Sequence, residues 1–255
     1  VGGLSAAPFA VSPTVPLGPA VCALAVTRAA PGCSAGPFAR CNLGARSGDD
    51  PHAVAANRAR LATAFALPSP PRFLRQVHGR TVVRFRGEEP SGFEPEADAA
   101  WTDRPGVVLA VLSADCVPVL IACADGSWVA VAHAGWRGLA AGVIPALLER
   151  LPSTAGRLRA WIGPAISAEG YEVGSEVREA LLRRDPRHEA CFQSNPRGRH
   201  QLDLRLAARQ QLEAAGVHDI EIAPHATDRE PALWYSHRRD GGRTGRFASL
   251  IWIEA

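Results

Sequence analysis

Residues 107–123 are the most apolar stretch of the chain, and its interruptions limit what it can fold into. A membrane-spanning helix needs about 20 uninterrupted apolar residues. Here Asp115 and Pro118 break the run, so it reads as two buried strands, 107–112 and 117–123, and the chain as a soluble protein. The turn signal Ala124-Asp125-Gly126 follows, and a third apolar segment at 128–132 completes a hairpin.

Hairpin geometry brings two chemically capable side chains together. With Ala124-Asp125 as a two-residue turn, Cys116 is the direct cross-strand neighbour of His133, about 5 Å away at Cβ. With Asp125-Gly126 as the turn, Pro118 opposes His133, and Cys116 is diagonally adjacent on the same face. A three-residue loop would separate the two side chains. A thiolate and an imidazole so placed could bind a borderline-soft ion such as Zn²⁺, or act as a nucleophile and its base. His78, at a strand end and followed by Gly79, is a candidate third ligand, because a Cys/His/His set leaves the fourth zinc position open. Spacing alone leaves a second reading open, a buried cysteine beside two hydrogen-bonded histidines.

Around this hairpin lie Asp115, beside the thiol, and Gly135-Trp136-Arg137-Gly138, a strand-to-helix turn whose amides could hold an anion. Near the carboxyl terminus Ser236, Arg238, Arg239, Arg243 and Arg246 would suit phosphate, although a solvated loop explains them as well. The chain contains no methionine and no lysine, so Schiff-base chemistry, a P-loop lysine and the usual axial methionine of a blue-copper site are excluded. A formal net charge of +3 is too small to imply a nucleic-acid or membrane footprint, so any anion site must be local. The cysteines at 22, 33, 41, 116, 123 and 191 form no CxxC pair and read as free thiols of a reducing, cytoplasmic compartment. The amino terminus, without a basic segment before an apolar one, fits trimming before Val1 better than an export signal.

No repeat or long linker divides the chain, so residues 1–255 read as a single compact domain. A strand at 20–27 leads to a helix at 51–66, with Asp50 as N-cap, Pro51 at its first position, Val54, Leu61 and Phe65 on one face, and Pro68 as its stop. Strands are expected at 73–77 and 81–85, and a helix at 139–151 kinked by Pro145. Further helices at 175–184 and 202–215 and a closing strand at 249–253 complete an α+β fold, a mixed β-sheet with helices packed against it.

A set of ordered motifs resembles the bacterial laccase-domain family, also called the polyphenol oxidase or peptidoglycan editing factor family, whose mammalian relatives are purine nucleoside enzymes. The resemblance rests on Asn42, Ser47-Gly48-Asp49-Asp50 and Asn57-Arg58, on Gln76-Val77-His78-Gly79, and on Ala97-Asp98-Ala99 with Thr102-Asp103. It continues through Ala114-Asp115-Cys116, Ala132-His133-Ala134-Gly135-Trp136-Arg137-Gly138 and Ile162-Gly163-Pro164, and ends in Arg238-Arg239-Asp240-Gly241 with Thr244-Gly245-Arg246. It departs from the family at His225-Ala226-Thr227, where a cysteine commonly precedes the threonine.

The resemblance implies that His78, Cys116 and His133 are zinc ligands, with copper as an alternative occupant. It also implies phosphorolysis of inosine, adenosine or methylthioadenosine, with adenosine deamination as a second activity. For deamination, Zn²⁺ would lower the pKa of a water that attacks the purine, with Asp115 as proton carrier. For phosphorolysis, Arg58, Arg75 or Arg137 could hold phosphate. Asn42, Gln76, Arg238 and Arg239 complete the expected substrate and phosphate contacts, and Asp115, Cys116 and Arg137 the expected catalytic set. A purine nucleoside and phosphate are the expected partners of a monomer or small homo-oligomer, with no nucleic acid and no membrane. A true multicopper oxidase is disfavoured, because the eight histidines form no His-x-His pair and methionine is absent. The alternatives are a Cys–His amidohydrolase editing cell-wall precursors, with Cys116 as nucleophile and His133 as base, and a non-enzymatic factor using the arginines at 238–246 as an anion clamp.

Overall fold

The computed structural model describes residues 8–152 and 157–255; the reading of the amino terminus concerns residues 1–7, outside that range. Two sheets lie face to face between two layers of helix. Numbered in chain order, the larger sheet runs β12 (Asp219–Ile222), β8 (Leu158–Ile162), β6 (Val117–Cys123), β7 (Val129–Ala134), β4 (Ala99–Thr102) and β3 (Val82–Arg84). It is mixed, since β12 pairs with β8 and β3 with β4 in parallel, while the other pairs are antiparallel. The second sheet runs β1 (Ala10–Val11), β2 (Val21–Val26), β13 (Phe247–Ile253) and β5 (Leu109–Ser113). A small third sheet joins β10 (Phe192–Ser194), β11 (His200–Leu202) and β9 (Glu172–Val173). The fold is the expected α+β domain, with several sheets in place of one.

Strand β6 shows why its sequence is apolar at every position. Val117, Val119, Ile121 and Cys123 pack towards the helices, and Leu120 and Ala122 pack against the second sheet. A strand covered on both faces has no position for a polar side chain. The helical layer over β6 consists of α2 (Trp136–Ala141), α3 (Val143–Leu148), α4 (Ser175–Arg184) and α5 (Leu204–Ala214). On the far side α1 (Pro51–Ala64) contributes Leu61 to a core with Val26, Ala110, Leu250 and Trp252.

Several expectations need correction. Residues 73–77 form no strand, and the backbone of this segment pairs through isolated bridges at Arg72 and Arg75. Side chains take over the ladder there: the Gln76 amide donates to Leu112 O at 2.8 Å and accepts from Leu112 N at 2.7 Å, and Asp98 accepts from Val77 N. The helix expected at 139–151 starts at Trp136 and breaks at Gly142, whose φ of +83° suits glycine. Pro145 falls in the first turn of α3, where its missing N–H costs nothing, so it is not the kink. Helix α1 has the expected Asp50 cap, accepting from His52 N, but it ends at Ala64; Ala66 at φ +48° closes it, two residues before Pro68. Strands β5 and β6 do not pair with each other; the chain crosses between the two sheets at Ala114-Asp115-Cys116, with Asp115 at φ +97°.

One buried side chain fastens α1 to the loops before it. Asn57 donates to Ser34 Oγ and Asn42 O, each at 2.9 Å, and accepts from Cys33 N at 2.8 Å. Asn57→Ala would orphan these groups, so urea denaturation should show a loss of about 1–3 kcal/mol. An unchanged midpoint would contradict that assignment.

Candidate metal centre

The hairpin adopts the register with Pro118 opposite His133 and Val117 opposite Ala134, so Cys116 stands diagonally beside the histidine just before β6 begins. Gly126 N donates to Cys123 O at 2.9 Å and closes the turn. His78 arrives from the loop ahead of β3, at φ +60°. The ligand atoms of His78, Cys116 and His133 all lie within 4.8 Å of one another. Cys116 Sγ is 3.9 Å from His78 Nε2, and the two imidazoles meet edge to face with centroids 4.7 Å apart. Gly135 is required here, because a Cβ would sit 2.8 Å from Cys116 Sγ and 3.0 Å from His78 Cδ2.

Asp98 holds two of the three donors in place. Its carboxylate is fully buried and accepts from the amides of Val77 at 3.1 Å, His78 at 2.9 Å and Gly79 at 2.7 Å. His133 Nδ1 donates to Asp98 Oδ1 at 2.9 Å, and His133 N to Asp98 O at 2.7 Å. One carboxylate thereby stabilises the left-handed turn at His78 and fixes the His133 tautomer, leaving Nε2 for the thiol side. Burial would raise the Asp98 pKa, but the His133 contact and the backbone amides outweigh it and hold the group ionised below the ordinary range.

The donors are poised for a cation. Burial pushes the Cys116 thiol up, yet the His133 charge and hydrogen bonds from both imidazoles carry it well below the ordinary thiol range. Burial would likewise lower His133, but the Cys116 thiolate and Asp98 raise it. A thiolate, two imidazoles and a carboxylate behind one imidazole match a borderline-soft divalent ion, with three protein ligands and one position left for an exogenous group. The residues present therefore fit a metal such as zinc.

The triad forms one wall of a cavity of about 510 Å³. Asp115, Arg137, Arg58, Gln76 and Arg238 also line it. Asp115 also anchors the carboxyl-terminal loop, accepting from Thr227 Oγ1 at 2.6 Å and Arg238 N at 2.7 Å. Arg58 is paired with Glu94 and donates to Leu43 O.

Three expected substrate contacts lie elsewhere. Asn42 is buried behind the wall, where its amide holds Ser47, Asp49, Gly44 N and Arg246 N. Arg75 turns outward to Glu96 at 2.6 Å. Arg239 is spent on Asp240, Thr227 O and Trp234 O. His225 bonds Glu230 at 2.7 Å and is not part of the cavity wall. Sequence reasoning did not select Asp98, Glu94 or Tyr171 as site residues, and it offered Arg246 only as one of a carboxyl-terminal cluster suited to phosphate. For Asp98 a signal existed: a carboxylate flanked by Ala97 and Ala99 in a β-rich segment is a buried acid in search of partners.

Asp98→Asn replaces an acceptor of four N–H groups by an amide whose own N–H₂ would face some of them. Its metal affinity should fall on the order of 10–100-fold in a chelator competition; wild-type affinity would contradict the role given to Asp98. In metal-free protein, Cys116 should be alkylated readily at neutral pH, with a rate-against-pH midpoint below that of an ordinary thiol. Stoichiometric metal should suppress that reaction, and a midpoint at or above the ordinary value would contradict the electrostatics.

Comparison with known proteins places this geometry. A family model described as multi-copper polyphenol oxidoreductase laccase matches residues 23–254. A Xylella fastidiosa protein named purine nucleoside phosphorylase is 44% identical over 246 residues, which cover 93% of this chain and 94% of the relative. An Escherichia coli protein named purine nucleoside phosphorylase YfiH is 42% identical over 222 residues, 87% of this chain and 90% of its own. Among solved structures, YlmD of Geobacillus stearothermophilus superposes with a TM-score of 0.88 at 34% identity, covering 98% of this chain and 97% of YlmD. A Neisseria meningitidis protein does so at 0.89 and 38%, covering 97% of this chain and all of that one. With the family model spanning nearly the whole sequence, the chain belongs to the multi-copper polyphenol oxidoreductase laccase family.

Proposed function

We propose that the protein is a zinc-dependent purine nucleoside phosphorylase with adenosine deamination as a second activity. The observation that carries this reading is the three-donor centre with an open position on the wall of a cavity of about 510 Å³, large enough for a small ligand and also lined by arginines. The names of the 38–44% identical relatives support it. Among the described residues there is a single candidate metal group and no histidine-rich cluster, which speaks against multicopper oxidation despite the family's name.

In phosphorolysis, a hydrogen phosphate oxygen bonds to the anomeric carbon as the glycosidic C–N bond breaks. The electron pair leaves on the purine nitrogen, and the proton of hydrogen phosphate ends on the free base. The cavity arginines hold the anion in line and offset its charge. Trp136 and Tyr171 offer apolar ring surface to the purine or ribose. Asp115, next in the chain to Cys116 and kept in place by Thr227 and Arg238, is positioned to pass a proton to the departing base or, in deamination, to the leaving amine. A zinc ion on His78, Cys116 and His133 would supply Lewis acidity at the open position. This reading carries with it a cytoplasmic setting, one domain over residues 1–255 and a monomer or small homo-oligomer. Among the described residues no helix is long and apolar enough to cross a membrane.

One observation favours a second reading. Cys116, His133 and Asp98 form a nucleophile, base and orienting carboxylate, as in a Cys–His hydrolase acting on cell-wall precursors. Metal content separates the two, because a bound ion occupies the thiolate. Zinc-loaded protein should release hypoxanthine from inosine only when phosphate is present, and Cys116→Ala should lose at least about 100-fold in rate. Base release that ignores phosphate would overturn phosphorolysis, and activity in metal-free, alkylation-sensitive protein would favour the hydrolase.

A further inference from the structure

The arginines of the cavity differ in how much of their charge is already spent. Arg58 is neutralised by Glu94, which Arg46 also approaches at 3.7 Å. Arg137 is exposed and lies over the Trp136 ring, and Arg238 stacks on Tyr171 while donating to Glu172 O. Arg246, immediately before β13, is different. Among the described residues Arg137, Arg238 and Arg246 all lack a carboxylate within ion-pair distance, but the first two are exposed, whereas Arg246 is half-buried in the cavity wall. Removing a guanidinium from water without a counter-ion is costly, so such a group calls for an anion from outside the chain.

Arg246 is also braced more firmly than an incidental surface cation. Its Nη1 donates to Thr244 O at 2.8 Å and Gly245 O at 2.9 Å. Its backbone N is held by Asn42 Oδ1 at 2.8 Å, and its carbonyl accepts from Leu43 N at 3.0 Å. Gly44 leaves the space for its stem, since a Cβ there would come within 2.7 Å of Arg246 Cγ. With Nη1 tied back to the main chain, Nε and Nη2 make no hydrogen bond to described residues, and they are the pair of donors that grips an oxyanion bidentately. Arg246 lines the same cavity as His78, Cys116 and His133.

We infer that Arg246 is the principal binding residue for the oxyanion co-substrate, taking inorganic phosphate in a fork between Nε and Nη2. Of the other arginines that the sequence offered for phosphate, Arg58 is neutralised, Arg75 and Arg239 are committed elsewhere, and Arg137, Arg238 and Arg243 are exposed. The buried Asn42 acquires a purpose in the same stroke: it fixes the backbone from which Arg246 projects, without touching substrate. The inference rests on the phosphorolysis reading, and it names the residue which makes the reaction depend on phosphate.

The test is steady-state kinetics of zinc-loaded wild type, Arg246→Gln, Arg246→Lys and Arg75→Gln, with phosphate and inosine varied separately. In Arg246→Gln the KM for phosphate should rise on the order of 10–100-fold while the KM for inosine changes by less than about 3-fold. Arg246→Lys keeps the charge but loses the fork, so it should fall between that variant and wild type; Arg75→Gln should match wild type. If Arg246→Gln fails to fold, Arg246→Lys and a phosphate soak of wild-type crystals decide. Phosphate density on Nε and Nη2 of Arg246 supports the inference, and density on Arg137 or Arg238 alone overturns it. Phosphate-dependent turnover with an unchanged phosphate KM in both Arg246 variants also overturns it and leaves phosphorolysis standing, whereas phosphate-independent base release in wild type defeats phosphorolysis itself.

Discussion

A single buried carboxylate ties the chemistry of this protein to its fold. Asp98 accepts three consecutive amides from the His78 turn and the Nδ1 proton of His133. It sits one residue ahead of β4, which pairs with β7, so the sheet delivers it to His133, and its carboxylate in turn draws in the loop that carries His78. Without Asp98 the left-handed His78 would lose the bonds that hold its turn, and His133 the partner that selects its tautomer. A fully buried carboxylate costs several kcal/mol unless every oxygen is satisfied, and here the satisfying groups are the ligands' own backbone and ring. Stability and ligand placement are the same interaction.

The third donor depends on a different constraint, the passage of the chain between the two sheets. Strand β5 belongs to one sheet and β6 to the other, and Asp115 and Cys116 occupy the crossing. Asp115 makes that crossing in a left-handed conformation, uncommon for a residue with a Cβ, and its carboxylate is held by Thr227 and the Arg238 amide. The carboxyl-terminal loop is therefore latched to the residue beside the thiolate. Arg246 follows at the end of that loop, where Asn42 and Gly44 shape the space around it. The metal wall and the arginine wall of the cavity are thus linked through a few polar side chains, most of them buried.

The legible part of this arrangement is the part set by short-range geometry. Cys116 and His133 could be paired from the chain because an even hairpin loop leaves them on one face in either register. The N-cap of α1 was legible from local capping, and the limits of α4 from its apolar periodicity. Asp98 was legible only as a buried acid, because its partners at 77–79 and 133 come to it only when β3 and β4 run parallel and β4 joins β7, contacts that no local pattern encodes. The arginines failed for the same reason: Arg75 and Arg239 look as suitable for phosphate as Arg246, and only the placement of Glu96 beside the first and of the Thr227 and Trp234 carbonyls beside the second shows that they are committed. The segment at 73–77 carries a strand's composition, yet the amide of Gln76 and the carboxylate of Asp98 replace the ladder that would have made it one.

The central claim is that Asp98 shapes His78, Cys116 and His133 into a site for one metal ion. Anomalous diffraction across the zinc and copper edges, from crystals of the protein as purified, tests it most directly. The account predicts a single zinc peak bounded by the two imidazoles and Cys116 Sγ, at distances of about 2.0–2.3 Å, and its loss in crystals of Asp98→Asn. An empty triad beside a reactive Cys116, a cluster of copper ions, or a peak that survives intact in Asp98→Asn would contradict it.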